Sequence, residues 1–200
     1  MRELRWKGDH TPEDGDYVIA EVPFGEPAWL VEVLGADDRP EFDLLSIASQ
    51  FRLRTRFPAL VEAEAGEFAV PGAAERRGRV DLRESCVFTI DPVDARDHDD
   101  ALSVRPLENG RFEIGIHIAD VSHYVREGGA IDAEARERGT SCYLPEGVVP
   151  MLPERLSADL CSLREGVDRL AISVFATLDG KGVLHAYRFA ETVIRSRAKL

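Results

Sequence analysis

The chain has 200 residues, 44% hydrophobic and 31% charged, which is enough for one substantial core and a second small one. It has no run of about 18 apolar residues to span a bilayer, and the opening Met1-Arg2-Glu3-Leu4-Arg5-Trp6 lacks the apolar stretch of a secretory signal, so a cytoplasmic protein without a membrane partner is expected. The formal charge of −12 excludes a surface that is basic throughout, yet arginine supplies 22 of the 25 basic residues and gathers in Arg52-Leu53-Arg54-Thr55-Arg56, Arg76-Arg77-Gly78-Arg79 and Arg195-Ser196-Arg197, where planar forks can hold phosphates or stay solvated.

From the N-terminus, Gly15–Val22 and Trp29–Leu34 read as β-strands on either side of a turn at Gly25-Glu26-Pro27. Two strands do not stand alone in water, so residues 1–35 are expected to be part of a small barrel. Residues 36–80 read as a helical linker. Phe42–Ala48 and, more weakly, Ala59–Ala65 have helical spacing, Pro58 suits a helix start, and Gly72 and Gly78 flank an Ala/Glu/Arg-rich stretch. From about residue 80 strand-like runs follow at Val87–Ile90, Ala101–Val104, Phe112–Ile118, Ala171–Leu178 and His185–Ile194. Between them lie a helix near Ile131–Arg138, a loop containing Pro145, Pro150 and Pro153, and a short helix near Glu154–Leu160. The three cysteines, Cys86, Cys142 and Cys161, are odd in number and form no C-x-x-C pair, so neither a disulfide partner nor a zinc site is expected.

The segment that carries chemistry is Thr89-Ile90-Asp91-Pro92-Val93-Asp94-Ala95-Arg96-Asp97-His98-Asp99-Asp100-Ala101, with five aspartates in ten residues behind an apolar run. Carboxylates this close repel one another unless a cation arrives. A calcium loop of the EF-hand type fails, because counting from Asp97 puts Ala101 fifth and Leu102 sixth, where an oxygen ligand and a glycine are needed. A phosphatase of the Asp-x-Asp kind would want its aspartates straight after an apolar strand, whereas Asp97-His98-Asp99 follows the more polar Val93-Asp94-Ala95-Arg96. What remains is a strand ending at Asp91, a proline-bearing turn, and a strand starting at Ala101, so that carboxylates from two strand ends face one pocket. That arrangement suits two Mg²⁺ ions, or Mn²⁺, activating a water and stabilising the leaving oxygen of a phosphodiester.

Phe88-Thr89-Ile90-Asp91-Pro92 with Asp97-His98-Asp99-Asp100-Ala101 resembles the active-site signature of the ribonuclease II/R (RNB) family of processive 3′→5′ exoribonucleases. His117–Val125, Tyr143-Leu144-Pro145 through Pro150-Met151-Leu152-Pro153, Leu156-Ser157, Cys161-Ser162-Leu163 and Asp168–Ala171 resemble later blocks of that family, in the same order. The implied fold is α+β: residues 1–35 the end of a cold-shock-type OB-fold barrel, and residues 81–200 the first half of a mixed-sheet RNB catalytic domain. The implied function is hydrolysis of single-stranded RNA to nucleoside 5′-monophosphates by a monomer. A non-catalytic RNA-binding or regulatory module is the alternative.

The resemblance assigns metal binding and catalysis to Asp91, Asp97, Asp99 and Asp100, with Asp99 the most tied to catalysis, and leaves Asp94 outside the set. It assigns stacking on the terminal base to Tyr143. Arg169 and Arg195 can reach RNA phosphates or pair with nearby carboxylates, and the Pro150–Pro153 loop suits a rigid wall of an RNA channel. His117, His123 and Asp120 have ligand-like spacing, but His117 lies in an apolar strand pattern and reads as structural. The resemblance further implies that the catalytic domain continues past residue 200, carrying an arginine that grips the phosphate, a further catalytic acid and an S1 domain.

Overall fold

The computed structural model describes residues 4–5, 11–21, 28–36 and 40–200. In chain order the elements are β1 (Leu4–Arg5), β2 (Tyr17–Glu21), β3 (Ala28–Gly35), α1 (Pro40–Gln50), α2 (Ala59–Gly66), α3 (Ala73–Arg76), β4 (Val80–Asp81), β5 (Val87–Thr89), β6 (Asp100–Pro106), β7 (Phe112–Ala119), α4 (Val121–Tyr124), α5 (Ala130–Arg138), β8 (Cys142–Leu144), β9 (Gly147–Val149), a π-helical turn over Arg155–Leu160, β10 (Asp168–Leu178) and β11 (Leu184–Lys199). They form two compact units, the first comprising Met1–Arg56 and Thr140–Met151, the second Phe57–Gly139 and Leu152–Leu200.

In the first unit β1 runs parallel and β2 antiparallel to the central β3. The two strands expected at 15–22 and 29–34 are β2 and β3; Val22 and the turn Gly25-Glu26-Pro27 lie outside the described residues. The helix expected at 42–48 is α1, which buries Ala48 and brings Phe42 within 5.7 Å of the Tyr17 ring. The proline-rich stretch expected as a loop contains a two-stranded ribbon, β8 with β9, closed by a two-residue turn at Pro145-Glu146. Its prolines punctuate the strands from outside, where they cost no ladder hydrogen bond. A Cβ at Gly147 would stand 2.9 Å from Leu44 Cδ1, so the glycine lets the ribbon's backbone approach α1.

The second unit is a mixed sheet that closes on itself. β5, β6, β7, β10 and β11 pair antiparallel in turn, except that β11 meets β5 in parallel. Closure rests on the length of β11. Through Arg195 its residues pair with β10, and its last turn of strand, Ser196–Lys199, pairs with β5; β4 adds beside it at Thr192 and Val193. The β10–β11 hairpin is set by Asp179, whose Oδ1 accepts from the amides of Lys181 and Val183, while Gly182 takes φ +78°.

The core joins small strand residues, Val87, Ala101, Ala119, Ala171 and Ile194, to Val61 and Ala65 of α2, Ile131 of α5, and Leu156, Leu160 and Leu163 around the π-helical turn. The stretch expected as a linker over 36–80 is thus divided: α1 belongs to the first unit, and α2 supplies core to the second. The short helix expected at 154–160 is the π-helical turn, closed by the Cys161 amide on Leu156 O at 2.9 Å.

A polar row threads this core. Thr192 Oγ1 donates to Ala171 O (3.1 Å), which leaves it to accept from Ser173 Oγ (2.7 Å). Ser173 Oγ then accepts from His117 Nδ1 (2.7 Å), and His117 Nε2 accepts from Ser103 Oγ (3.0 Å). The direction of the first bond therefore puts a proton on Nδ1, and burial, which lowers the imidazole to about 4, keeps it neutral with Nε2 as the acceptor. A Cβ at Gly115 would collide with Ser103 Oγ, so the row needs glycine there.

Candidate active site

The aspartates lie on the connection between β5 and β6, neighbours paired at Val87↔Ser103 and Phe88↔Leu102. The strands end two residues earlier and begin one residue earlier than the sequence suggested, at Thr89 and Asp100. Along the extended stretch 97–100, alternation turns His98 into the protein, where it is 7% exposed. Asp97 and Asp99 flank it on the opposite side, and Asp100 opens β6 opposite Ile118.

The loop is held by groups far away in the chain. Ser162 Oγ donates to Arg96 O (2.7 Å) and accepts from the His98 amide (3.1 Å), and the Leu163 amide donates to His98 O (2.9 Å). Lys199 Nζ donates to Val93 O (3.1 Å) and Ala95 O (3.2 Å). The His98 imidazole donates through Nε2 to Ala95 O (3.1 Å), and the Ala119 amide donates to Asp99 O (2.9 Å).

Asp99 senses the charge of the other three aspartates. The Asp99 carboxyl is pushed above the usual carboxylate range, first by partial burial, then by Asp97, Asp100 and Asp91 in that order, with His98 opposing. Asp91 Oδ2 is buried without a hydrogen-bond partner. Arg96, next to Asp97 in sequence, lies 3.9 Å from Glu154. Among the described residues no three acidic, histidine or cysteine side chains close around one point. An orphaned buried carboxylate oxygen on Asp91, an Asp99 carboxyl disfavoured as an anion by burial and by its acidic neighbours, and ligands that are all hard oxygen make a donor set that fits Mg²⁺ or Mn²⁺.

The other expected residues separate. Arg169 is a correction to the RNA-binding expectation. It is 2% exposed, donating to Ser162 O (2.9 Å), Asp168 O (3.1 Å) and Asp159 Oδ1 (3.2 Å), because its strand face turns into the core. Arg195 takes the carboxylate alternative, holding Asp168 Oδ1 at 2.8 Å through Nε. Asp168 also receives Arg76 (2.5 Å) and Arg83 (3.3 Å), so parallel pairing of β4 with β11 merges two of the sequence's arginine clusters around one acid. Tyr143 lies on β8 in the first unit, 63% exposed.

His117 is the core histidine expected, held down to about 4 by burial. Asp120 is not a ligand. It is 3% exposed, accepts from the His123 amide and Ser122 Oγ at the start of α4, and pairs with Arg79 NH2 at 2.6 Å. Sequence reasoning missed Ser162 and Lys199 as supports of the loop; Ser162 stood in a noted block, Cys161-Ser162-Leu163, but nothing local showed what its hydroxyl meets.

Comparison with known proteins places the chain in a family. The chain is 46% identical over 194 residues to Ribonuclease R of Thermotoga maritima, covering 92% of this chain and 27% of that protein. It therefore spans about a quarter of the length of the curated relatives it matches. Mycoplasma genitalium RNase R, solved with ribose-methylated single-stranded RNA, superposes with a TM-score of 0.85 at 27% identity, covering 100% of this chain and 32% of that one. Yeast Ssd1, described as a pseudonuclease, shares the fold at 22% identity with a TM-score of 0.73, over 98% of this chain and 27% of its own. The RNB domain matches residues 79–200, a stretch that takes in the aspartate loop together with both segments that pin it, and the chain accordingly belongs to the RNB family.

Proposed function

We propose that this chain carries the carboxylate side of a metal-dependent site that hydrolyses single-stranded RNA processively from the 3′ end, releasing nucleoside 5′-monophosphates. The observation that carries the reading is Asp99, whose carboxyl is raised by burial and then by Asp97, Asp100 and Asp91, together with one buried, unpartnered oxygen on Asp91. Asp91, Asp97, Asp99 and Asp100 would hold Mg²⁺, or Mn²⁺, and the bound ions supply water activation and stabilisation of the leaving oxygen. Asp99, raised by burial and then by its three neighbours, is a carboxylate whose charge a cation would relieve. The backbone pins at Val93, Ala95, Arg96 and His98 keep the four acids in place before substrate arrives, so their repulsion is borne by the fold. Tyr143 would offer its exposed ring to a terminal base, a contact worth about 1–3 kcal/mol.

The relatives support this reading: Ribonuclease R among the sequences, and the Mycoplasma enzyme solved with single-stranded and with double-stranded RNA. The second reading, a non-catalytic RNA-binding module, draws on Ssd1, since that fold also occurs in a pseudonuclease. The complete aspartate set favours catalysis. In the full-length protein, Asp99→Asn is expected to keep its affinity for a single-stranded oligoribonucleotide while Mg²⁺-dependent release of monophosphates falls by orders of magnitude. Undiminished degradation by the variant refutes the assignment, and a wild-type protein that binds RNA without degrading it favours the module.

A further inference from the structure

We propose that Ser162 and Lys199 are positioning residues of the aspartate loop, setting how tightly its carboxylates take up a divalent ion; this rests on the metal-site reading above. Neither residue is acidic and neither can stand in for a ligand, yet between them they meet four backbone groups of the ten-residue connection. Ser162 is fully buried, and its hydroxyl uses both its capacities on this loop, donating to Arg96 O at 2.7 Å and accepting from the His98 amide at 3.1 Å. Those two groups bracket Asp97, and the Leu163 amide extends the same seam by one bond to His98 O. Lys199 meets the other end, donating to Val93 O at 3.1 Å and Ala95 O at 3.2 Å, one on each side of Asp94 and just past the buried carboxylate of Asp91.

The two supports come from different parts of the closed sheet. Ser162 follows the π-helical turn, and Lys199 is the last residue of β11, paired with Thr89 at the end of β5. The aspartates themselves cannot hold this geometry, because their mutual repulsion drives them apart. Backbone bonds from outside the loop are what oppose it. An unmet Arg96 carbonyl and His98 amide would let the 96–98 segment seek water and carry Asp97 and Asp99 with it. Outer partners of this kind change metal affinity or activity by about 10–100-fold when removed.

The test measures Mn²⁺ binding to the RNA-free, full-length protein by water-proton relaxation, alongside hydrogen exchange of the His98 amide. Ser162→Ala is expected to weaken Mn²⁺ binding by about tenfold or more and to speed His98 exchange. Ser162→Thr, which keeps the hydroxyl, is expected to restore both, and KM for RNA is expected to stay within about twofold while kcat falls. If Ser162→Ala does not fold, Lys199→Met, at a partly exposed position, carries the test with a weakening of several-fold. Mn²⁺ affinity unchanged in Ser162→Ala, or in Lys199→Met where that variant is the one tested, overturns the positioning role while leaving the metal reading intact. A wild-type protein that binds no Mn²⁺ overturns both.

Discussion

Acidification is expected to destabilise the second unit through one residue, His117. The imidazole is buried between Ser103 and Ser173, with the Phe175 ring 5.9 Å away, and burial lowers it to about 4 from an unfolded value near 6.5. A base whose folded pKa is lowered binds fewer protons folded than unfolded between those two values, so its contribution is intact above about pH 6.5 and lost as pH falls toward 4. From these two values the loss is about 2 kcal/mol between pH 7 and pH 5, growing to roughly 3 kcal/mol by pH 4. Urea unfolding followed by far-ultraviolet circular dichroism at pH 7, 6 and 5 measures it, with His117→Gln as the reference that cannot titrate. His123, also lowered, by burial and then by Arg79, adds a slope of the same sign to both proteins and cancels in the comparison. Wild type and His117→Gln losing stability in parallel, within about 0.5 kcal/mol, would refute the reasoning.

Asp120→Ala is expected to cost about 3–5 kcal/mol for the Arg79 charge left buried and about 1 kcal/mol for the lost cap of α4, read as a lowered urea midpoint; a cost below about 1 kcal/mol would show that the 2.6 Å pair carries no stability. Arg169→Met is expected to destabilise by about 3–5 kcal/mol, since it strips partners from Ser162 O and Asp168 O, while the folded fraction keeps its RNA affinity and salt dependence; a lowered salt slope at unchanged stability would return Arg169 to the RNA. Asp99→Asn is expected to raise Tm at pH 7, because burial and then its acidic neighbours raise the folded-state pKa of Asp99 and its ionisation opposes folding above the unfolded value; a Tm unchanged or lowered at pH 7 removes the repulsion argument.

Much of this architecture was readable locally. The strands around Val18, Val31, Phe88, Leu102, Ile116 and Val174 follow from apolar runs bounded by turn residues, and α2 and α5 from their spacing. The β8–β9 ribbon escaped because Pro145 and Pro150 read as loop, although both lie outside the paired residues. Arg169 and Arg195 look equivalent in sequence, each an arginine just outside an expected strand; the sheet buries one completely and leaves the other 43% exposed on Asp168. The site divides in the same way. Asp91, Asp97, Asp99 and Asp100 announce themselves by density, whereas the burial of His98 among them is seen only in the structure.

The sequence by itself determined the longer strands and the carboxylate-rich connection, because periodicity, turn chemistry and charge density act over a few residues, while the resemblance of its ordered motif blocks pointed to the family. Tertiary structure alone decided that β11 closes the sheet, that Ser162 reaches Arg96 across 66 positions, and that Lys199 reaches Val93 across 106. Those bonds depend on which strand faces pair and on how far β11 runs past β10 to meet β5. Such information resides in the packing of the core rather than in any window of the chain.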